Sequence, residues 1–370
     1  PDAKVRELSF TYHGTPLKVR VPVDVSLRLT GTSENAVADG WNRLSSDEFA
    51  PLVADCMKLK SGKKLCDWAY LNMLKAMADA YAGAGSNEST LITAFLFSQS
   101  GYRIRLASDG SHLELLYASQ HSIYDKPYFT LDGEKFYPMS KNVGSNLRIC
   151  SAKFPKEKSL SLWVQNNPEV AESASQARTV TSKRYPDFSF RVSVNKNLIA
   201  FYDTYPTSEV GGNFMTRWAM YANTPVCASV RNELYPAIKS KTAGMSQLEA
   251  AERILNWIQT GMVYEYDDKV WGHDRAFFAN ESLYYPYCDC EDRSILFTRI
   301  MRDLYGLKCI LIYYPGHLAC AVNFPGGAKG DYIMVNGQKY TVCDPTYIGA
   351  PVGMTMDGMD NATAKVITLD

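Results

Sequence analysis

The chain of 370 residues lacks an excess of charge of either sign: Lys and Arg number 39, Asp and Glu also 39. A neutral chain exerts no bulk electrostatic pull on nucleic acid or anionic lipid, so neither is expected as a partner. Long apolar runs are also missing. Stretches such as Cys309 to Tyr314 fall far short of the ~20 residues that cross a bilayer, and no transmembrane segment is expected. There is no glycine-rich phosphate loop, no His-Glu-x-x-His pair and no EF-hand pattern. The expectation is therefore an activity without a cofactor and without a metal. The nine cysteines lack the spacing of a disulfide framework, and an odd number leaves at least one thiol unpaired in a monomer.

What is present is the composition of a folded protein, 46% hydrophobic and 21% charged. The length suits two or three domains of roughly 100–200 residues. Ser246 to Thr260 carries apolar residues at helical spacing, from Leu248 through Ala251, Ile254 and Leu255 to Ile258, and Gly261 follows as a stop. A second helix is predicted to begin near Cys290, with the stripe Ile295, Leu296, Ile300, Met301, Leu304 and a capping Gly306. Lys308 to Tyr314 reads as a buried strand, Pro315-Gly316 as a turn, and His317 to Phe324 as an alternating strand. Asn336-Gly337 between Tyr332–Val335 and Gln338–Cys343 is a type I′ hairpin signal. The sum is α+β: a helix carrying Cys290, packed on an antiparallel sheet.

The same order recurs upstream. When Gly101 is laid on Gly306, Leu91 falls on Leu296 and His112 on His317. Asp132-Gly133 meets Asn336-Gly337 after a shift of one residue. Gly85 then holds the place of Cys290, and Ser140 that of Asp344. The expectation is an internal duplication. A degenerate copy without a nucleophile occupies about residues 1–150, and a competent copy about 151–370, with a β-rich segment near 185–245 and its core near 246–350. Phe188–Val194 and Leu198–Tyr205 are read as strands of that β-rich segment. His112 and His121 are read as ordinary histidines.

Thiol catalysis needs a deprotonatable sulfur, a base, and a group that orients the base. Cys290, His317 and Asp344 follow one another at 27-residue intervals, and a helix start followed by two strands can bring them to one end of a sheet. A helix N-terminus lowers a thiol pKa, whereas Asp289, Glu291 and Asp292 oppose that, so an imidazolium at His317 would carry most of the thiolate stabilisation. Asp344 is expected at Nδ1 of His317, which leaves Nε2 for the sulfur.

Cys290-Glu291-Asp292-Arg293-Ser294, the helix after it, Gly316-His317 and Asp344-Pro345-Thr346 resemble, in order and spacing, the three blocks of the transglutaminase-like superfamily. The resemblance covers about residues 248–348, a third of the chain. It implies a papain-like core with Cys290 as nucleophile, His317 as base and Asp344 as orienting acid. It also implies acyl transfer on an amide bond of a peptide, protein or cell-wall peptide. Hydrolysis by a cysteine peptidase or amidase is favoured over cross-linking, because no second amine-donor site shows in the sequence. Cys288 stands where the family often has glycine. For the oxyanion the Cys290 N–H is one donor, with Trp257, Tyr264 and Trp271 as candidate side chains. Tyr284, Tyr285, Tyr287, Tyr313 and Tyr314 are candidates to line a cleft.

Two alternatives stand beside this reading. One is a catalytically silent module on the same fold that binds a peptide or cell-wall fragment. The other is a structural zinc site from Cys288, Cys290, His317 and Cys343. A chain beginning at Pro1 is compatible with a removed export signal, so an exported bacterial protein of the periplasm or cell surface is expected, a cytoplasmic one being the alternative. The oligomeric state is left open.

Overall fold

The computed structural model describes residues 4–144, 146–153 and 157–370. The chain divides into two compact units. The first runs to Ala171 and takes back Ser208–Gly212; the second comprises Glu172–Thr207 and Asn213–Asp370. The first therefore extends past the expected boundary at 150. It includes a returning strand, Ser208–Glu209, that pairs with Ser122–Ile123.

Each unit holds a five-stranded antiparallel sheet preceded by a helix. In the first, helix α1 (Asn87–Gln99) leads into β1 (Ile104–Ser108), β2 (Leu113–Ala118), β3 (Phe129–Leu131), β4 (Glu134–Pro138) and β5 (Arg148–Ile149), ordered β3-β4-β2-β1-β5. In the second, helix α2 (Cys290–Tyr305) leads into β6 (Cys309–Tyr314), β7 (His317–Val322), β8 (Tyr332–Val335), β9 (Gln338–Cys343) and β10 (Lys365–Thr368), ordered β8-β9-β7-β6-β10. The strand order is the same in both, and so is the register. Ile104 faces Tyr117 as Cys309 faces Val322, each 205 positions on. On the next ladder Leu116 faces Pro138 as Ala321 faces Val342, a shift of 205 on one side and 204 on the other. Both hairpins turn through two residues of positive φ, Asp132-Gly133 (52° and 78°) and Asn336-Gly337 (50° and 76°), as a type I′ turn requires.

Local chemistry explains the helix that matters most. Asp289 caps α2 by accepting from the N–H groups of Glu291 and Asp292, and Asp292 reaches back to accept from the Asp289 N–H, a reciprocal cap. Ile295, Leu296, Ile300 and Met301 are buried along one stripe. Gly306 ends the helix at φ 62°, a left-handed position that glycine adopts without a Cβ penalty. Behind the sheet, Ile310, Ile312, Tyr314, Ala319, Ala321, Tyr340 and Val342 form one apolar cluster.

The middle of the chain differs from expectation. The segment near 185–245 holds more helix than strand, from Lys196–Asp203 through Thr216–Asn223 to Tyr235–Lys241, and its strand Ser189–Val192 pairs with Arg178–Thr181 just before it. Leu198–Tyr205, read as a strand, lies largely in a helix, Lys196–Asp203. A short apolar run fits either period. Asn195 favours the helix: its side chain accepts from the Asn197 N–H at 3.0 Å as an N-cap.

Candidate active site

His317 opens β7, and Asp344 follows the last residue of β9. Both side chains are buried, at 7% and 1% exposure. His317 Nε2 lies 2.7 Å from Asp344 Oδ2. The other carboxylate oxygen accepts from the N–H groups of Thr346 (2.9 Å) and Tyr347 (3.2 Å), so the acid is held from two sides. The Tyr314 ring lies nearly parallel to the imidazole, 6.0 Å between centroids.

The nitrogen assignment is the reverse of the expected one. Cys343 pairs with Cys320, so the next residue, Asp344, continues opposite Ala319, two positions along β7 from His317. Only the far end of the imidazole spans that offset. Nδ1, close to the backbone, is the nitrogen that the acid does not engage.

Cys290, the first residue of α2, is partly exposed. The Leu318 N–H, one residue beyond His317, lies near enough to its sulfur to favour the thiolate. The Cys290 sulfur and His317 therefore lie at the same end of β7. The thiol is nevertheless pushed well up, chiefly by burial and then by the charge of Asp289, with smaller contributions from Glu291 and Asp292; the Leu318 N–H acts in the opposite direction. The expected low-pKa thiolate is thus not what the surroundings favour. Burial and three carboxyls outweigh the helix N-terminus.

Those carboxyls belong to a larger acidic group. Oxygens of Asp267, Asp289 and Glu291 all lie within 4.8 Å of one another. Burial and the charge of Asp289 push the Asp267 carboxyl up to about 8. Glu291 is likewise raised to about 8 by burial, then by Asp289 and Asp274. Asp292 is raised well above the usual range by burial and then by Asp289. One Glu291 oxygen, Oε2, is buried without a hydrogen-bond partner among the described residues. An all-oxygen set of this kind has the chemistry that hard divalent cations take, with fewer ligands than such an ion needs.

Two residues that sequence reasoning passed over fasten the site. Arg293 is 1% exposed and donates to the carbonyls of Gln259, Met262 and Pro345 and to the Cys288 sulfur. Gln259 donates to the carbonyls of Asp344 (2.9 Å) and Ala350 (3.0 Å). Arg293 thereby ties α2 to the segment after Asp344, and Gln259 ties the helix Gln247–Gly261 to Asp344 itself. Arg293 stood inside the quoted motif; Gln259 showed only as a polar residue beside an apolar stripe.

The other candidates sort by contact. Trp257 is buried, and its indole N–H donates to the Val180 carbonyl at 2.8 Å, which removes it as an oxyanion donor. Trp271 packs against Phe277 and Tyr285 with the Arg275 guanidinium over its ring. Tyr264 is half-buried, and its hydroxyl is raised by burial, then by the charges of Cys290 and Asp289, which places it near the sulfur. Of the tyrosines expected to line a cleft, Tyr313 packs on Phe214 and Trp218, and Tyr284 packs on Tyr285. Tyr287 is 43% exposed.

The zinc alternative is not assembled. Among the described residues the one group with metal-ligand proximity is Asp267, Asp289 and Glu291. The Cys288 sulfur is engaged by Arg293 and the Val263 carbonyl. Cys343 sits opposite Cys320, which alternates with His317, Ala319 and Ala321 and so points to the other face of the sheet. No protein-family model matches the chain, and no curated protein matches it.

Proposed function

We propose that the second unit is a thiol-dependent acyl-transfer enzyme acting on amide bonds, a cysteine peptidase or amidase on a papain-like, transglutaminase-like core. The observation that carries this reading is the buried 2.7 Å contact of His317 Nε2 with Asp344 at the strand end where the Leu318 N–H meets the Cys290 sulfur. Because the surroundings hold the proton on sulfur, the first step is general-base assisted. Nδ1 of His317 takes the thiol proton as sulfur bonds to the carbonyl carbon. The Cys290 N–H and the Tyr264 hydroxyl are the donors for the oxyanion. Collapse breaks the C–N bond, His317 returns its proton to the leaving amine, and a thioester remains. Water, deprotonated by His317, then releases the acid and restores the thiol. The matching strand order and register of the two sheets support reading the first unit as a duplicated copy, with Gly85 in the nucleophile position.

The test is iodoacetamide alkylation followed cysteine by cysteine by mass spectrometry, in wild type and His317→Ala. Cys290 alkylation at pH 7 is expected to slow about tenfold or more in the variant while Cys227 is unchanged. On a peptide amide that is turned over, Cys290→Ala is expected to lose ~10³-fold or more in kcat. Undiminished turnover by Cys290→Ala would sink the mechanism. Cys290 alkylation indifferent to His317 would favour the second reading, a silent peptide-binding module, for which the raised thiol is the supporting observation.

A further inference from the structure

The first unit carries a cavity of about 290 Å³ whose lining includes Gly85, His112 and Ser140. These are the counterparts of Cys290, His317 and Asp344 when the two sheets are laid in register. The cavity is thus the place of the catalytic cleft, with its chemistry replaced. A Cβ at Gly85 would meet nothing within 4 Å, so the space of a nucleophile side chain is open. His112 is tied by Nδ1 to Asp109 (3.3 Å), and its side chain is 79% exposed.

A new carboxylate has appeared in the wall. Glu114 lies two residues along β2 from His112, on the same strand face, where the second unit has Ala319. It is 8% exposed. One oxygen, Oε1, accepts from the Ser140 N–H at 3.0 Å. It forms no ion pair with another described residue. Lys126, which does not line the cavity, feels its charge without an ion-pair contact. The other two acids of the lining are already engaged. Asp79 accepts from Ser89, Gly85 and Lys75, and Asp109 accepts from the N–H groups of Ser111 and His112. Among the described residues Lys75, bonded to Asp79, is the one lysine in the lining, against three carboxylates. A buried carboxylate with no cation in contact is costly, and a ligand cation that enters the cavity offsets that cost. The volume is at the small end of ligand pockets, and Leu113, Leu115 and Met139 give it an apolar wall.

We propose that this cavity is a non-catalytic binding pocket for a small ligand bearing a primary ammonium, of the class of an amino acid amide or the free amino end of a short peptide, with Glu114 as the counter-ion. The proposal rests on reading the two units as copies of one fold and does not depend on turnover at Cys290.

The test is calorimetric titration of the full chain, carrying Cys290→Ala, with L-alanine amide and with N-acetyl-L-alanine amide, which lacks the charge. Saturable binding of the first, at least tenfold tighter than that of the second, is expected. Adding Glu114→Gln is expected to weaken it tenfold or more. Since Glu114 is buried, a second variant, Asn142→Trp at the exposed rim of the cavity, obstructs the pocket without touching the acid and is expected to lose binding as well. No binding of L-alanine amide, or binding indifferent to acetylation or to both variants, overturns the proposal. Binding that survives both variants but disappears in His317→Ala would put the amine in the other unit and also overturn it. Loss of the thiol mechanism alone would leave the proposal standing.

Discussion

Around Cys290 the decisive balance is between burial and charge. Asp267 and Glu291 are both raised to about 8, so the folded protein keeps protons that the unfolded chain releases above about pH 4–5. Between those limits the native state binds more protons than the unfolded state, and stability falls as pH rises. The contribution is fully present below the unfolded carboxyl range and is lost as pH passes through about 8. Asp267→Asn removes one such group. It is expected to raise Tm at pH 8 by ~2–4 °C more than at pH 5, on the order of 1 kcal/mol. Thermal melts at the two pH values check this; an equal shift at both would show that the acid is not held protonated. The positions of Cys290, His317 and Asp344 were legible in the sequence because each stands at a local feature: a helix start, a strand start, a strand end. The protonation of the cluster was not legible, because Asp267 lies far from Asp289 in sequence and only the fold brings their oxygens within 4.8 Å.

At the scale of elements, the hairpins and helix ends followed from local chemistry, and one crossing did not. Gly353, at φ +91°, has no room for a side chain: a Cβ there would stand 2.2 Å from the Lys329 carbonyl oxygen and 3.0 Å from Gly330 Cα. The two backbones lie together because the Asp331 N–H donates to the Gly353 carbonyl, and the Gly353 N–H to the Val342 carbonyl, both at 2.7 Å. Gly353→Ala is expected to cost about 2–4 kcal/mol, combining backbone strain with displacement of the neighbouring chain. Urea unfolding measures it, and a loss under ~0.5 kcal/mol would mean that the crossing relaxes freely. The helix Lys196–Asp203 shows the opposite limit of sequence reading. Its apolar run satisfied a strand as well as a helix, and one cap at Asn195 carried the information.

Across the whole molecule, two sheets share one order and one register, but only in the second, among the described residues, does the histidine that opens the second strand meet an acid at the end of the neighbouring strand, with a cysteine at the start of the preceding helix. In the first unit His112 is paired to Asp109, and Gly85 has φ +71°, where a side chain is strained. Placing a cysteine there, as Gly85→Cys in a Cys290→Ala chain, is therefore expected to restore no amide turnover; release of amine from a peptide amide is the measurement. Recovered activity would mean that the first cleft still has a working base.

The sequence by itself determined what depends on short stretches of chain. These are the periodicity of the helices, the two positive-φ hairpins, the 27-residue steps that order Cys290, His317 and Asp344, and the recurrence of that frame upstream. Such features act over a turn or a strand, where a few side chains decide the outcome. Tertiary structure alone decided the rest. It set which imidazole nitrogen faces Asp344, placed Arg293 and Gln259 as fasteners of the site, and gave Cys290 the burial and then the acidic neighbours that hold the proton on its sulfur. It also put Glu114 in the wall of a cavity of the first unit. Each of these depends on distances between residues remote in the chain, and electrostatic and hydrogen-bond energies change with ångströms that no local pattern encodes.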